Sequence, residues 1–141
     1  MNQTTHFKLE DVNRAWHVTS AKGRVLGHVA VQVVNALMGK HNPSWTPTTD
    51  SGDYVIVTDV ESLVVTGNKG EGKTYKFHSG WMGGLKELSF DTLHGKKPEQ
   101  VLELAVKRML PKTIQGSHQL KRLKVYKGST HPHVSQQPKP L

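Results

Sequence analysis

The residues with the most specific chemical pattern lie at positions 67–74, which read Gly-Asn-Lys-Gly-Glu-Gly-Lys-Thr. This segment matches the glycine-rich phosphate-binding loop, in which backbone N–H groups and a lysine hold the phosphates of a nucleotide. Such a loop must lead directly into a helix, because the helix N-terminus completes the phosphate site. Residues 75–78 instead alternate between apolar and polar side chains, as in a β-strand. The pattern therefore predicts a hairpin with glycines, and a nucleotide-binding enzyme is the disfavoured alternative.

Nine histidines raise the question of metal binding or acid–base catalysis, most directly at residues 131 and 133. Two imidazoles supply two ligands, whereas a catalytic zinc ion usually has three protein ligands. No acidic residue follows Glu103 to complete the set locally, and no Ser-His-Asp order or pair of carboxylates indicates catalysis. We therefore predict a protein that is not an enzyme and has no cofactor and no metal. The histidines are expected to form surface hydrogen bonds or to contact phosphates and bases.

Charge is the most informative bulk property of the chain. It has 19 Lys and Arg against 11 Asp and Glu, a net charge of +8. Residues 1–70 carry six basic and six acidic side chains, whereas residues 71–141 carry thirteen and five. An excess of positive charge in one half of the chain suits binding to a polyanion, although it is also compatible with a surface that is charged only for solubility. The distribution favours a nucleic acid as the partner.

Length and composition narrow the class of protein further. The 141 residues are typical of one domain, and the absence of cysteine removes disulfides and fits a reducing compartment. The first fifteen residues contain no apolar signal-peptide segment, and no apolar run approaches the roughly 18 residues that a membrane span needs. We expect a soluble chain with no membrane partner and no small-molecule substrate.

The elements that position these residues are predicted from periodicity. Residues 16–19 and 54–58 favour strands, and the apolar residues from 26 to 37 recur at helical spacing up to Gly39. A parallel βαβ unit is the economical topology for this order. Further strands are predicted at residues 63–66, 75–78 and 123–126, a loop at 80–84, and helices at 89–93 and 98–109. In the last helix the predicted buried stripe consists of Val101, Leu102, Ala105, Val106 and Met109.

These elements predict an α/β fold that contains a parallel βαβ unit. Residues 1–15 are assigned to an N-terminal extension, 16–128 to the RNA-binding domain, and 129–141 to an extended basic C-terminal tail. The tail has too little apolar surface to pack alone, so we expect it to become ordered against a partner.

The order of many short motifs resembles the bacterial type of large-subunit ribosomal protein thirteen. The matching segments are Trp16, Leu26-Gly27, and residues 37–41, 50–57, 65–69, 75–80, 83–84, 105–112, 123–128, 130–133 and 136–138. The resemblance implies a single three-layer α/β/α domain with a small, mainly parallel four-stranded sheet. It also implies a place in the large subunit, on a cytoplasmic or, alternatively, an organellar ribosome. It implies 23S-type ribosomal RNA and neighbouring large-subunit ribosomal proteins as partners, a role in subunit assembly, and no catalysis. A regulatory RNA-binding protein off the ribosome is the alternative.

The chain departs from the family pattern at three positions. His28 and Ser117 each stand where the family usually has an arginine, and Ser20 stands where it usually has an aspartate. Neither His nor Ser reproduces a bidentate guanidinium on a phosphate, so these contacts of the family are in doubt here.

The candidate RNA-binding residues are mostly cations of the C-terminal half. If about 6 phosphates are neutralised, log affinity falls with log salt at a slope near −4 to −5. Trp81, His78 and Tyr126 are candidates for stacking on bases, although Trp81 and Tyr126 equally suit packing within the protein. The predicted RNA-binding residues are Lys40, His41, Lys69, His78, Lys86, Lys107, Arg108, Lys112, Lys121, Arg122, Lys124, Lys127, His131 and His133.

Overall fold

The structure is a computed structural model that describes residues 7–141. The first six residues of the proposed N-terminal extension therefore lie outside the described residues. The strands are β1 (Trp16–Ser20), β2 (Tyr54–Thr58), β3 (Thr74–His78), β4 (Leu85–Ser89), β5 (Leu123–Val125) and β6 (Lys139–Pro140). The α-helices are α1 (Leu26–Met38), α2 (Lys69–Gly72), α3 (Phe90–Lys96), α4 (Pro98–Met109) and α5 (Ile114–Lys121).

The main sheet has four parallel strands in the order β5-β2-β1-β6. In its centre Trp16 lies opposite Tyr54 and Ser20 opposite Thr58, so β1 and β2 pair over their full length. Val55, Ile56 and Val57 are fully buried, as expected of a strand covered on both faces. The α/β class, the mainly parallel four-stranded sheet and the βαβ unit are confirmed.

Helix α1 forms because its apolar residues share one face and bury it. Val29, Val33 and Leu37 are fully buried at the helical spacing. The helix ends at Gly39, which has a φ of +73° and donates its N–H to the carbonyl oxygen of Ala36. A β-carbon at Gly39 would lie 2.7 Å from the backbone oxygen of Ser51, so only glycine fits this turn. The predicted helix and its stop are confirmed.

The two faces of the sheet are covered differently. Val55 and Val57 join the core on the side where α1 contacts α4 and α5. On the other face the rings of Trp16 and Tyr54 stack with centroids 4.3 Å apart, and the ring of His133 lies 5.0 Å from Trp16. His133 of the C-terminal segment thus covers part of this face, and β6 extends the sheet at its edge.

Residues 63–66 do not form the predicted strand, and the predicted hairpin with β3 is wrong. Val64 makes a single parallel bridge with Val25, because its backbone groups bond to the turn that follows β1. Residues Lys69–Gly72 then form one helical turn, and β3 pairs antiparallel with β4 instead. Strand β4 replaces a segment for which no regular element was predicted.

Helices α3 and α4 follow the prediction, except that two residues of the predicted buried stripe are not buried: Ala105 is half-buried and Met109 is exposed. Ser89 caps α3 by accepting the N–H of Thr92 at 3.4 Å. Met109 is 45% exposed rather than buried, because it lies at the last turn of α4, where the chain opens into a groove. Helix α5 was not predicted, since Gly116 and its polar neighbours leave it without a clear apolar stripe.

Candidate nucleic-acid interface

The C-terminal end of α4 brings predicted cations together. Pro98 begins the helix, which places Lys107 and Arg108 in its last turn, and Lys112 follows beyond Pro111. Cations at this end are favoured by the helix dipole even without a ligand. All three side chains are exposed, and two grooves open on either side of them.

The first groove has a volume of about 1150 Å³ and lies between the start of α1, helix α2 and the end of α4. Arg24, Lys69 and Lys73 supply three cations to its walls, and Met109 contributes apolar surface. Among the described residues its lining contains no carboxylate. The groove is therefore positively charged and open to an anion.

Lys73 of this groove and Arg108 of α4 flank the buried ring of Tyr75. The Nζ atom of Lys73 lies 5.5 Å from the ring centroid and the guanidinium carbon of Arg108 lies 5.6 Å from it. Burial lowers the pKa of Lys73, and the charges of Arg108 and Lys69 lower it further. Burial raises the pKa of Tyr75, while Arg108 acts in the opposite direction. The lowered pKa of Lys73 thus reflects its partial burial first and the positive charge of its neighbours second.

The second groove, of about 500 Å³, lies between the end of α4 and α5. Lys107 and Lys112 supply its cations, and its described lining again contains no carboxylate. Thr113 caps α5 by accepting the N–H of Gly116 at 3.3 Å, which fixes this wall of the groove. Ser117 also lines it, and its hydroxyl donates to the carbonyl oxygen of Thr113.

The structure exposes most of the predicted RNA-binding residues. The exposed ones are Lys40, His41, Lys69, His78, Lys86, Lys107, Arg108, Lys112, Lys121 and Lys127. Lys127 lies 3.9 Å from a carboxylate oxygen of Glu99, a pair of little energetic weight at the surface. Within residues 7–141 no ion pair involves the other lysines of this set or Arg108.

Four predicted residues are not displayed at the surface in this way. Arg122 is only 6% exposed, and its guanidinium binds both carboxylate oxygens of Asp50. Lys124 is half-buried in β5. His131 and His133 are half-buried, and Nε2 of His133 lies 2.9 Å from the hydroxyl of Tyr126. Arg122 therefore has a structural role, and His133 packs within the protein.

The tip of the β3–β4 hairpin displays the largest exposed apolar side chains. Trp81 is 80% exposed and Met82 is fully exposed at 103%. Gly80 and Gly83 have φ angles of +91° and +73°, which shape the turn between the strands. Trp81 was predicted either to stack on a base or to pack within the protein, and its exposure excludes packing in the core. Tyr126 is half-buried and bonded to His133, so it packs within the protein instead.

The glycine-rich segment at residues 67–74 does not have the geometry of a nucleotide site. Lys73 is the residue just after α2, and Thr74 begins β3 rather than a helix. No helix N-terminus follows the lysine to complete a phosphate cradle. Two residues of the segment, Lys69 and Lys73, instead line the first groove.

One cluster of chemically active side chains was missed by sequence reasoning. His17, His41 and Asp53 converge, although they are far apart in the chain. Their types alone carry no signal, and the convergence follows from the pairing of β1 with β2 and from the end of α1. Separately, no helix within residues 7–141 is long and apolar enough to cross a membrane.

The fold and the unpaired surface cations define a basic α/β protein whose surface suits a polyanion. The family described as ribosomal protein L13 matches residues 14–132, and this chain belongs to that family. Its members are structural components of the ribosome rather than enzymes.

Similar proteins cover nearly the whole chain. Large ribosomal subunit protein uL13 of Chloroflexus aggregans is 50% identical over 138 residues, which make up 98% of this chain and 96% of that protein. The protein of the same name from Thermotoga petrophila is 49% identical over 141 residues, 100% of this chain and 95% of its own length. The one from Shewanella baltica is 49% identical over 132 residues, 94% and 93% of the two chains.

Proposed function

We propose that this chain is a structural constituent of the large ribosomal subunit, where it binds 23S-type ribosomal RNA and supports assembly of the subunit. Its partners are that RNA and neighbouring large-subunit proteins, and its place is the ribosome of the cytoplasm. The names of the similar proteins support the subunit.

The two carboxylate-free grooves beside the basic end of α4 carry this proposal. A protein that needed charge only for solubility would gain most from interspersed charges of both signs. Here Arg24, Lys69 and Lys73 line one groove, and Lys107 and Lys112 line the other. An RNA backbone would neutralise this charge and release its own counterions, which favours binding.

Two of the departures from the family pattern support the assignment of the two grooves as the RNA-binding surface. His28 is exposed in the lining of the first groove, and Ser117 is exposed in the lining of the second. The two positions at which the family usually carries an arginine thus lie one in each groove. An arginine at either position would point its guanidinium into the space that we assign to the RNA backbone.

Sedimentation tests the ribosomal role directly. A lysate is separated on sucrose gradients at low and at high salt, and the protein is detected in each fraction. We expect it to travel with the large subunit and to remain there after the high-salt wash. A protein that stays at the top of both gradients would contradict a constitutive ribosomal role and would favour the regulatory alternative.

A binding assay tests the surface. Binding of the purified protein to 23S-type RNA is measured between 50 and 200 mM salt, which spans the range where phosphate contacts weaken strongly. Replacing Lys107 and Lys112 together by alanine should lower the affinity and make the salt slope shallower by about 1 to 2. Lys22→Ala, an exposed lysine in the neutral half of the chain, is the control. Equal effects of the two variants would argue against these grooves as the interface.

A further inference from the structure

We propose that His17, His41 and Asp53 form a binding site for one divalent transition-metal ion, with Zn²⁺ as the best-suited candidate. Nε2 of His17 and Nε2 of His41 lie 3.1 Å and 2.9 Å from the same oxygen, Oδ2 of Asp53. The three potential ligand atoms all lie within 4.8 Å of one another. Two imidazole nitrogens and one carboxylate oxygen are a common ligand set for zinc.

The fold brings the three side chains together from three separate elements. His17 is the second residue of β1, and Asp53 directly precedes β2, whose first residue lies opposite Trp16. Helix α1 returns the chain antiparallel to the strands, and the turn at Gly39 delivers His41 to the same end of the sheet. The site thus rests on the most regular part of the fold.

The two nitrogen–oxygen distances are close to those of a tetrahedral ion. Zinc binds imidazole nitrogen and carboxylate oxygen at about 2.0–2.2 Å, so two ligand atoms in a tetrahedral shell are separated by roughly 3.3 Å. The two nitrogen–oxygen distances of 2.9 Å and 3.1 Å need to lengthen by only a few tenths of an ångström, about 0.2 to 0.4 Å. The rings of His17 and His41 are nearly perpendicular, with centroids 5.8 Å apart.

The three side chains of the cluster differ in their burial, and one of them reaches the solvent. The side chain of Asp53 is 3% exposed, that of His17 is 15% exposed and that of His41 is 42% exposed. Oδ1 of Asp53 accepts the N–H of Ala15 at 2.9 Å, which holds the carboxylate and leaves Oδ2 for the ion. The exposed side of His41 puts the cluster within reach of solvent, and a water molecule would be the fourth ligand, as in zinc sites with three protein ligands.

The alternative is a purely structural network in which both imidazoles donate Nε2–H to Asp53. Binding of an ion would exchange these two hydrogen bonds for two metal–nitrogen bonds and move each ring proton to Nδ1. Nδ1 of His17 is buried and has no partner among the described residues. At Nδ1 no hydrogen bond favours either ring tautomer, so only the contact of Nε2 with Asp53 sets the tautomer in the absence of an ion.

Calorimetry on the purified full chain distinguishes a metal-binding site from a purely structural hydrogen-bond network. We expect one Zn²⁺ per chain in a titration with zinc chloride, and no comparable heat with magnesium chloride, because Mg²⁺ prefers oxygen ligands. His41→Gln keeps an N–H donor for Asp53 but lacks a good metal ligand, and it should weaken zinc binding by about tenfold or more. His118→Gln, an exposed histidine of α5, is the matched control and should bind zinc as the unmodified chain does.

The positions of the ring protons give a readout that does not depend on a variant. In ¹H–¹⁵N spectra, Nε2 of His17 and His41 should lose its proton when zinc is added. No zinc binding, or unchanged affinity in His41→Gln, would overturn the proposal, and the latter result would place the ion at another group such as residues 131 and 133. The experiment contains no RNA, so its outcome is independent of the proposed ribosomal function.

Discussion

The guanidinium of Arg122 donates hydrogen bonds to both carboxylate oxygens of Asp50, with nitrogen–oxygen distances of 2.5 Å and 2.6 Å. The same guanidinium donates to the carbonyl oxygen of Leu37 at 3.1 Å. One buried side chain thereby ties the residue before β5 to the segment before β2 and to the end of α1. This contact is the reason why Arg122 does not belong to the RNA-facing cations.

Removing the guanidinium should destabilise the protein strongly. In Arg122→Ala the carboxylate of Asp50 loses its main partner while it stays largely buried, which costs about 3 kcal/mol. Urea unfolding followed by circular dichroism measures this loss. Lys121→Ala, an exposed neighbour, is the control and should change the free energy of unfolding by less than about 0.5 kcal/mol. Similar stability of the two variants would refute the structural role of Arg122.

The Asp50–Arg122 pair also predicts a dependence of stability on pH. Burial alone would raise the pKa of Asp50, but hydrogen bonds and charge from Arg122, aided by Gln119 and Arg14, lower it below 3.8. The folded state therefore releases this proton more readily than the unfolded state does. The pair stabilises the protein above about pH 4, and the contribution is lost as the pH falls through the lowered pKa.

The matching measurement is the free energy of unfolding between pH 3 and pH 7, for the unmodified chain and for Asp50→Asn. We expect the difference between the two proteins to shrink below about pH 4. The pKa of Glu103 is shifted in the opposite direction, because burial raises it and the negative charge of Glu99 raises it further. Because Glu103 is present in both proteins, its contribution cancels in the comparison. A constant difference across this range would contradict the lowered pKa.

The elements predicted best from the sequence are those whose apolar residues repeat with the period of the element. Strands β1 and β2 and helices α1 and α4 bury such repeats, and each was found where it was expected. Strand β4 was missed because it depends on pairing with β3 rather than on its own pattern, Leu-Lys-Glu-Leu-Ser. Strand β6 was missed for the same reason, since only β1 makes residues 139–140 a strand.

The exposed lysines of the candidate interface were predictable from residue type, because lysine is seldom buried. Arg122 was not, since its partner Asp50 is distant in the chain and charge alone does not reveal a partner. The His17–His41–Asp53 cluster likewise depends on tertiary contacts. The sequence thus indicated which half of the chain is basic, but it did not indicate which of the basic side chains are paired with a partner inside the protein.

Restoring the arginines of the family pattern should strengthen RNA binding. His28→Arg adds a guanidinium to the first groove and Ser117→Arg adds one to the second. Each is expected to raise the affinity by about 1 kcal/mol and to steepen the salt slope by about 0.7 to 0.9. The measurement is a salt series with 23S-type RNA. Lys in place of Arg at each position distinguishes a bidentate contact from simple charge, because it restores the charge without the fork.

Position 20 offers a test of the third departure. The hydroxyl of Ser20 donates to Oδ2 of Asp59 at 2.7 Å, and Asp59 itself has a left-handed backbone with a φ of +57°. Ser20→Asp replaces this hydrogen bond by two facing carboxylates. The variant should be less stable at pH 7 by about 1 kcal/mol and should regain stability as the pH falls toward 4. Ser20→Ala loses this hydrogen bond and the longer one from the N–H of Lys22 but adds no carboxylate, so it should lack that recovery in a thermal melt at the two pH values.

The exposed hairpin tip predicts a role for Trp81 in RNA binding that is separate from folding. The indole is surrounded by solvent, and the same hairpin exposes the side chains of His78 and Lys86. Stacking of one base on the indole contributes about 1 to 3 kcal/mol to affinity. Trp81→Ala should lose this affinity while its urea unfolding curve changes by less than about 0.5 kcal/mol. Trp81→Phe keeps an aromatic face and should retain most of the affinity, whereas Met82→Ala controls for the loss of apolar surface alone. Full affinity in Trp81→Ala would show that the tip does not stack on the RNA.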